Sequence, residues 1–137
     1  MKTTQKFMTM IFTIAVGTLL FAALASAASV GVKTKEGLGS YLTDQKGMTL
    51  YLFTKDSANK SVCMAANGCT ERWPIFYADK VEPKTGLKAA DFGTITREDG
   101  KQQTTYKGKP LYYFAKDKDD DDAYGQGVGG VWYVVAP

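Results

Sequence analysis

The feature that most constrains this chain is that it contains a copy of part of itself. Lys46-Gly47-Met48-Thr49-Leu50-Tyr51-Leu52-Phe53-Thr54-Lys55-Asp56 aligns with Lys107-Gly108-Lys109-Pro110-Leu111-Tyr112-Tyr113-Phe114-Ala115-Lys116-Asp117, with seven identities in eleven positions at a constant offset of 61. Self-similarity of this kind means that one supersecondary unit is used twice. Each copy is followed by a tryptophan, Trp73 or Trp132, and a further apolar segment. The expectation is two diverged copies of one β unit, with cores near residues 40–77 and 100–136, packed about a pseudo-twofold axis.

The periodicity sets the fold class. After residue 28 there is apolar alternation and turn punctuation, with no sustained 3.6-residue stripe, so a small all-β domain, an antiparallel meander of hairpin-connected strands, is expected. Strands are expected at 40–43, 49–53, 74–77, 92–97, 102–107, 111–115 and 131–135, with a short helical turn within 84–91. Asp44-Gln45-Lys46-Gly47, Glu98-Asp99-Gly100 and Lys107-Gly108-Lys109-Pro110 read as the turns between them. In each repeated strand Tyr and Phe face one side, while Leu50 and Leu52, or Leu111 and Tyr113, face the other. Both sides are apolar, so these strands should be central and covered.

Residues 1–27 read as a signal peptide: Lys2 and Lys6 precede an apolar run from Phe7 to Ala25, which ends in Ala25-Ser26-Ala27. Its most apolar part, Ile11 to Leu24, is short for a span of about 20 residues. Removing it leaves residues 28–137 and takes two lysines with it, so most of the formal charge of +3 belongs to the leader. A near-neutral domain lacks the basic surface that nucleic acid requires, and no such partner is expected. The chain has no histidine, which excludes Ser-His-Asp and Cys-His chemistry, histidine zinc sites and a proximal-histidine haem.

Several spaced motifs agree in order with a known family. The two Tyr-x-Phe-x-x-Asp copies, the cysteine pair before Trp73-Pro74, Arg97-Glu98-Asp99-Gly100-Lys101-Gln102 before Thr105-Tyr106-Lys107-Gly108, and Gly125-Gln126-Gly127 before Trp132 carry the resemblance. Over essentially the whole mature chain they resemble the bacterial secreted repeats and predicted lipoproteins named for the Yx(F/W/Y)xxD motif. The resemblance implies an exported bacterial domain of unestablished biochemical role. Two departures stand out. Many members carry a lipobox cysteine, and no cysteine stands directly after the leader here, so a periplasmic or released protein is expected. The family pattern also places Gly-Asp ahead of Gly-Gln-Gly, where this chain has Asp121-Asp122, leaving that turn geometry open.

The repeated Tyr51, Phe53 and Asp56, with Tyr112, Phe114 and Asp117, admit two readings. One is a core strand ended by an aspartate that accepts backbone N–H groups of the next turn. The other is a paired ligand pocket lined by the tyrosines and aspartates. Trp73 and Trp132 are expected as structural aromatics. Cys63 and Cys69, in an exported chain, are expected to form a disulfide whose short loop contributes about 2 kcal/mol, with soft-metal binding alongside Met64 or a redox switch as the alternative. In the run from Asp117 to Asp122, alternate Asp117, Asp119 and Asp121 are weak candidates for a divalent cation in what otherwise reads as a solvated loop. Gly125-Gln126-Gly127-Val128-Gly129-Gly130 lacks the following Lys-Ser/Thr and helix of a phosphate loop, and reads as a flexible approach to the last strand. Glu36, Glu71, Glu82 and Glu98 form no recognisable carboxylate constellation.

The expected function is thus a non-enzymatic cell-envelope binding or structural module. It is expected to carry no cofactor and to meet an unidentified envelope or extracellular partner. The alternative is an accessory of envelope redox or metal handling.

Overall fold

Among the described residues, eight short strands carry most of the regular structure: β1 (Ala27–Lys35), β2 (Gly39–Thr43), β3 (Tyr51–Phe53), β4 (Lys80–Pro83), β5 (Phe92–Thr96), β6 (Gln102–Tyr106), β7 (Lys109–Pro110) and β8 (Trp132–Val134). They come from a computed structural model that describes Gly17 and residues 27–137. The expected signal peptide, apart from Gly17 and Ala27, lies outside the described residues. Among those residues the one α-helix is α1 (Cys69–Arg72), and 3-10 turns occupy Ala65–Asn67, Ala89–Asp91 and Val128–Gly130. No helix among them is long and apolar enough to cross a membrane. The all-β fold class holds, and Ala89–Asp91 supplies the helical turn expected within 84–91.

The strands form three small sheets, ordered β2-β1-β4, β3-β8 and β5-β6-β7. Isolated bridges lie outside the named strand pairs, including Thr43 to Thr49, Tyr51 to Tyr112 and Ile75 to Tyr112. Every strand pair is antiparallel except β1 with β4, which run parallel with Ala28 opposite Val81. That pair departs from a pure meander. Its strands are separated by most of the first repeat, and a long connection, unlike a hairpin, can return a strand in the parallel sense.

Some strand expectations need correction. β1 and β4 were not among them: β1 has a weak, Gly-interrupted pattern, and its partner β4 is remote in sequence. Residues 74–77 and 111–115 carry only isolated bridges at Ile75 and Tyr112, with Ala115 already in a turn, because their partners change along their length. The Phe76 N–H donates to the Leu111 carbonyl at 3.0 Å while the Phe76 carbonyl accepts from Thr104 at 2.9 Å. Pro74 has no N–H to donate, and its carbonyl accepts from Tyr113 at 2.7 Å.

The two repeats are interleaved. The Leu50 N–H donates to Leu42 in the β1–β2 hairpin at 3.0 Å, and Leu111 donates to Thr104 in the β5–β6 hairpin at 3.0 Å. The Thr54 N–H reaches the Val131 carbonyl and Ala115 reaches that of Arg72, both at 2.8 Å. Each Tyr-x-Phe strand therefore lies beside the segment flanking the other repeat's tryptophan. Between them Tyr51 and Tyr112 exchange backbone hydrogen bonds of 2.8 and 3.0 Å, which places the pseudo-twofold axis.

The alternation in the repeated strands separates two cores. Leu50 and Leu111 pack with Val30, Leu42, Phe76, Ala78, Tyr106 and Val135. Tyr51 and Tyr112 pack with Cys63, Trp73, Phe114 and Trp132 on the opposite side. Leu50 and Leu111 are both fully buried. Truncating either to Ala is expected to lower stability by about 2–5 kcal/mol, read from urea unfolding. Equal losses at the two sites would reflect their equivalence, and a loss below about 1 kcal/mol at either would contradict a packed second face.

Candidate functional site

The repeated tyrosines and aspartates meet across the axis. The Tyr51 hydroxyl of the first repeat donates to Asp117 Oδ2 of the second at 2.6 Å. The Tyr112 hydroxyl of the second donates to Asp56 Oδ2 of the first at 2.7 Å. The other carboxylate oxygen caps the following turn, as the first sequence reading expected: Asp117 Oδ1 accepts from the Tyr124 N–H at 3.0 Å, and Asp56 Oδ1 from the Val62 N–H at 2.8 Å. The exchange between repeats is the part that sequence reasoning missed.

Aromatic rings repeat the exchange. Phe53 stacks on Trp132 at 4.2 Å and Phe114 on Trp73 at 4.2 Å, each pairing one repeat with the other. The two tryptophans stack on each other at 3.9 Å, nearly parallel, completing a column Phe53–Trp132–Trp73–Phe114. Tyr51 meets Trp73 edge-on at 5.4 Å, and Tyr112 meets Trp132 edge-on at 5.1 Å. Such pairs contribute about 0.5–1.5 kcal/mol each beyond the area they bury.

Each phenol also accepts a hydrogen bond, and here the repeats differ. Tyr51 accepts from the Gly125 N–H at 3.1 Å. Tyr112 instead bonds Ser61 Oγ, which accepts from Arg97 Nη1 at 2.7 Å. The Arg97 side chain is fully buried. It also donates to Gln103 Oε1 at 2.7 Å, to the Cys63 carbonyl, and through Nε to both Asp99 oxygens at 3.2 Å. A buried guanidinium needs this degree of pairing to offset its lost hydration. Burial raises the Asp99 carboxyl, but the Lys101 N–H and Arg97 outweigh it and hold the carboxyl below its usual range.

Desolvation acts on the crossed pairs too. Burial, the largest cause, raises the Asp56 and Asp117 carboxyls despite the phenol and amide donors that lower them. Burial likewise pushes the Tyr51 and Tyr112 phenols far up, and the neighbouring carboxylates add to it. At neutral pH the centre therefore holds neutral phenols hydrogen-bonded to partly desolvated carboxylates. No open pocket separates them, because Tyr51 and Tyr112 are fully buried.

Cys63 and Cys69 are joined in a disulfide, with Cys63 in the aromatic core. It closes the loop that leads into α1 and Trp73. The three candidate metal ligands do not converge, and among the described residues no group of three or more His, Cys, Asp or Glu could hold a metal ion. Both oxygens of Asp117 are engaged in the core, Asp119 is exposed, and Asp121 meets Lys33 at 3.4 Å. The glycine-rich segment is no loose approach. A Cβ on Gly125 would lie 2.6 Å from Tyr51 Cε1 and 2.9 Å from Trp73 Cη2, so only glycine lets this backbone reach the phenol. Gln126 Oε1 then accepts from the Val134 N–H at 2.8 Å. Arg97, Ser61 and Gln103 were missed as centre residues; the one available signal was Arg97 at the end of an otherwise uncharged strand.

Tyr51→Phe or Tyr112→Phe should each cost about 1–3 kcal/mol, since each strands a buried carboxylate oxygen. Tyr41 is the contrasting case: its hydroxyl is buried with no hydrogen-bond partner among the described residues, so Tyr41→Phe should be neutral or stabilising. Equal losses in all three variants, measured by urea unfolding, would refute the crossed pairing. Gly125→Ala should cost about 1–3 kcal/mol or prevent folding, by overpacking. The raised phenols also set a pH window. Their contribution is complete below the unfolded-state value of about 10, and it is lost as pH climbs, because the unfolded chain releases protons that the native state retains. The urea midpoint should fall above about pH 10, with a shallower slope in Tyr51→Phe; an unchanged slope would contradict this.

A family model described as a secreted repeat of unknown function matches the chain twice, over residues 32–77 and 93–136. Each match begins inside the first strand of a hairpin, β1 or β5, and ends after the apolar segment beyond Trp73 or Trp132. No curated protein and no solved structure matches the chain. Two matched units, each supplying the Tyr, Phe, Asp and Trp that close the other, place this chain in that family of secreted repeats of unknown function.

Proposed function

We propose that the mature domain is a non-enzymatic binding or structural module of the bacterial cell envelope, working in the periplasm or after release. One observation supports the reading above others. The polar side chains of the repeated motif direct their hydrogen bonds to each other across the axis, at 2.6 and 2.7 Å, inside the domain. The residues best suited to acid-base chemistry thus hold two repeats together, and recognition falls to the surface that this frame presents.

A second reading, an accessory of envelope redox handling, draws support from the packing of Cys63 in the cluster that contains Trp73, Trp132 and both repeat tyrosines. A native pull-down from periplasmic extract, with metal and haem content measured on the same protein, separates the two. The module reading expects a colourless, metal-free domain that retains a stoichiometric partner and is silent in voltammetry near the potentials of envelope carriers. A coloured or metal-loaded protein, or a reversible voltammetric wave, would overturn it in favour of the second.

A further inference from the structure

A cleft of about 400 Å³ opens over the tryptophan pair, between the disulfide-closed loop with α1 on one side and the Val128–Gly130 turn on the other. Its floor is unusual. Trp132 is covered on one face by Phe53 and on the other by Trp73, and Trp73 is covered by Trp132 and Phe114. Both line the cleft, so their rings can present only edges to it. An aromatic ring is electropositive at its edge, so a row of edges attracts negative charge.

The rim reinforces that preference. Lys55 and Arg72 both line the cleft and are exposed, and neither takes part in an ion pair among the described residues. Among the described residues no acidic side chain lines it. The remaining wall is largely apolar, with half-buried Phe53 and Val131 and exposed Val128. The position also breaks the repeat symmetry. Arg72 and Val131 are equivalent by their hydrogen bonds to Ala115 and Thr54, so only one repeat supplies a guanidinium here.

We propose that this cleft binds a small organic carboxylate, with Arg72 and Lys55 on the anion and the Phe53 and valine wall on its ring or hydrocarbon body. The proposal rests on the module reading and names a site and a ligand class for it. One guanidinium fork, one ammonium and a mainly apolar wall suit a monoanion with an apolar body. The disulfide helps shape the site, because Cys69 lines it and the bridge anchors the start of α1.

The test uses the purified, oxidised protein and two probes, benzoate and glucuronate, which separate a hydrocarbon from a sugar carrier of the carboxylate. Tryptophan fluorescence reads occupancy directly, since Trp73 and Trp132 form the floor. Saturable quenching by benzoate is expected, with no response to benzyl alcohol or glucose, and a response to glucuronate alone would overturn the apolar-body assignment. Arg72→Gln should weaken binding at least about tenfold and Lys55→Gln several-fold, as expected for charge-assisted contacts, with circular dichroism unchanged. Lys109→Gln, outside the cleft, should bind as the wild type does. No saturable response to either acid, undiminished binding by Arg72→Gln, or stronger binding of inorganic phosphate than of the acids would each overturn the proposal. Should wild-type protein ignore both acids yet still retain its partner in the pull-down, the cleft assignment falls while the module reading stands.

Discussion

The structure depends on a reciprocal exchange: each repeat places a phenol on the other repeat's carboxylate. Tyr51 with Asp117 and Tyr112 with Asp56 are fixed by backbone that also pairs at the axis, so neither half completes its own centre. A buried carboxylate without donors carries a large desolvation cost. Here the donors come from the following turn within the same repeat and from the tyrosine of the other. This dependence explains why the short strand β3 sits at the middle of the molecule without a long ladder of its own.

The aromatic column extends the same logic into packing. Phe53 and Phe114 each cover the tryptophan of the other repeat, and the tryptophans cover each other. The disulfide then secures the loop leading into Trp73, and Arg97 ties that loop, through the Cys63 carbonyl and Ser61, to Tyr112. On the other side Gly125 does the corresponding work with a backbone N–H alone. Two repeats of common origin thus reach one geometry by different local means, and only one of them leaves an arginine at the surface over the tryptophan pair.

Much of this was legible in the chain. The offset copy announced the twofold arrangement, and strand alternation separated Tyr51 and Phe53 from Leu50 and Leu52, which enter different cores. The aspartate three residues beyond each phenylalanine was readable as a turn acceptor, because that bond is local. The strands β1 and β4 were not legible, since a parallel pair between distant segments leaves no mark at short range. Gly125 looked like a loop glycine, because the rings that exclude a Cβ there come from Tyr51 and Trp73, far away in sequence.

What the sequence alone determined is the repeat, the β class, the cysteine pair and the exclusion of histidine chemistry. These follow from composition, period and local hydrogen-bonding capacity. What only the tertiary structure decided is which tyrosine meets which aspartate and where charge is left unpaired. Within one unit Tyr51 and Asp56 look like partners; in the fold their partners are exchanged. The physical reason is that a strand places side chains by alternation but says nothing about its neighbour, and the neighbour here is the other repeat.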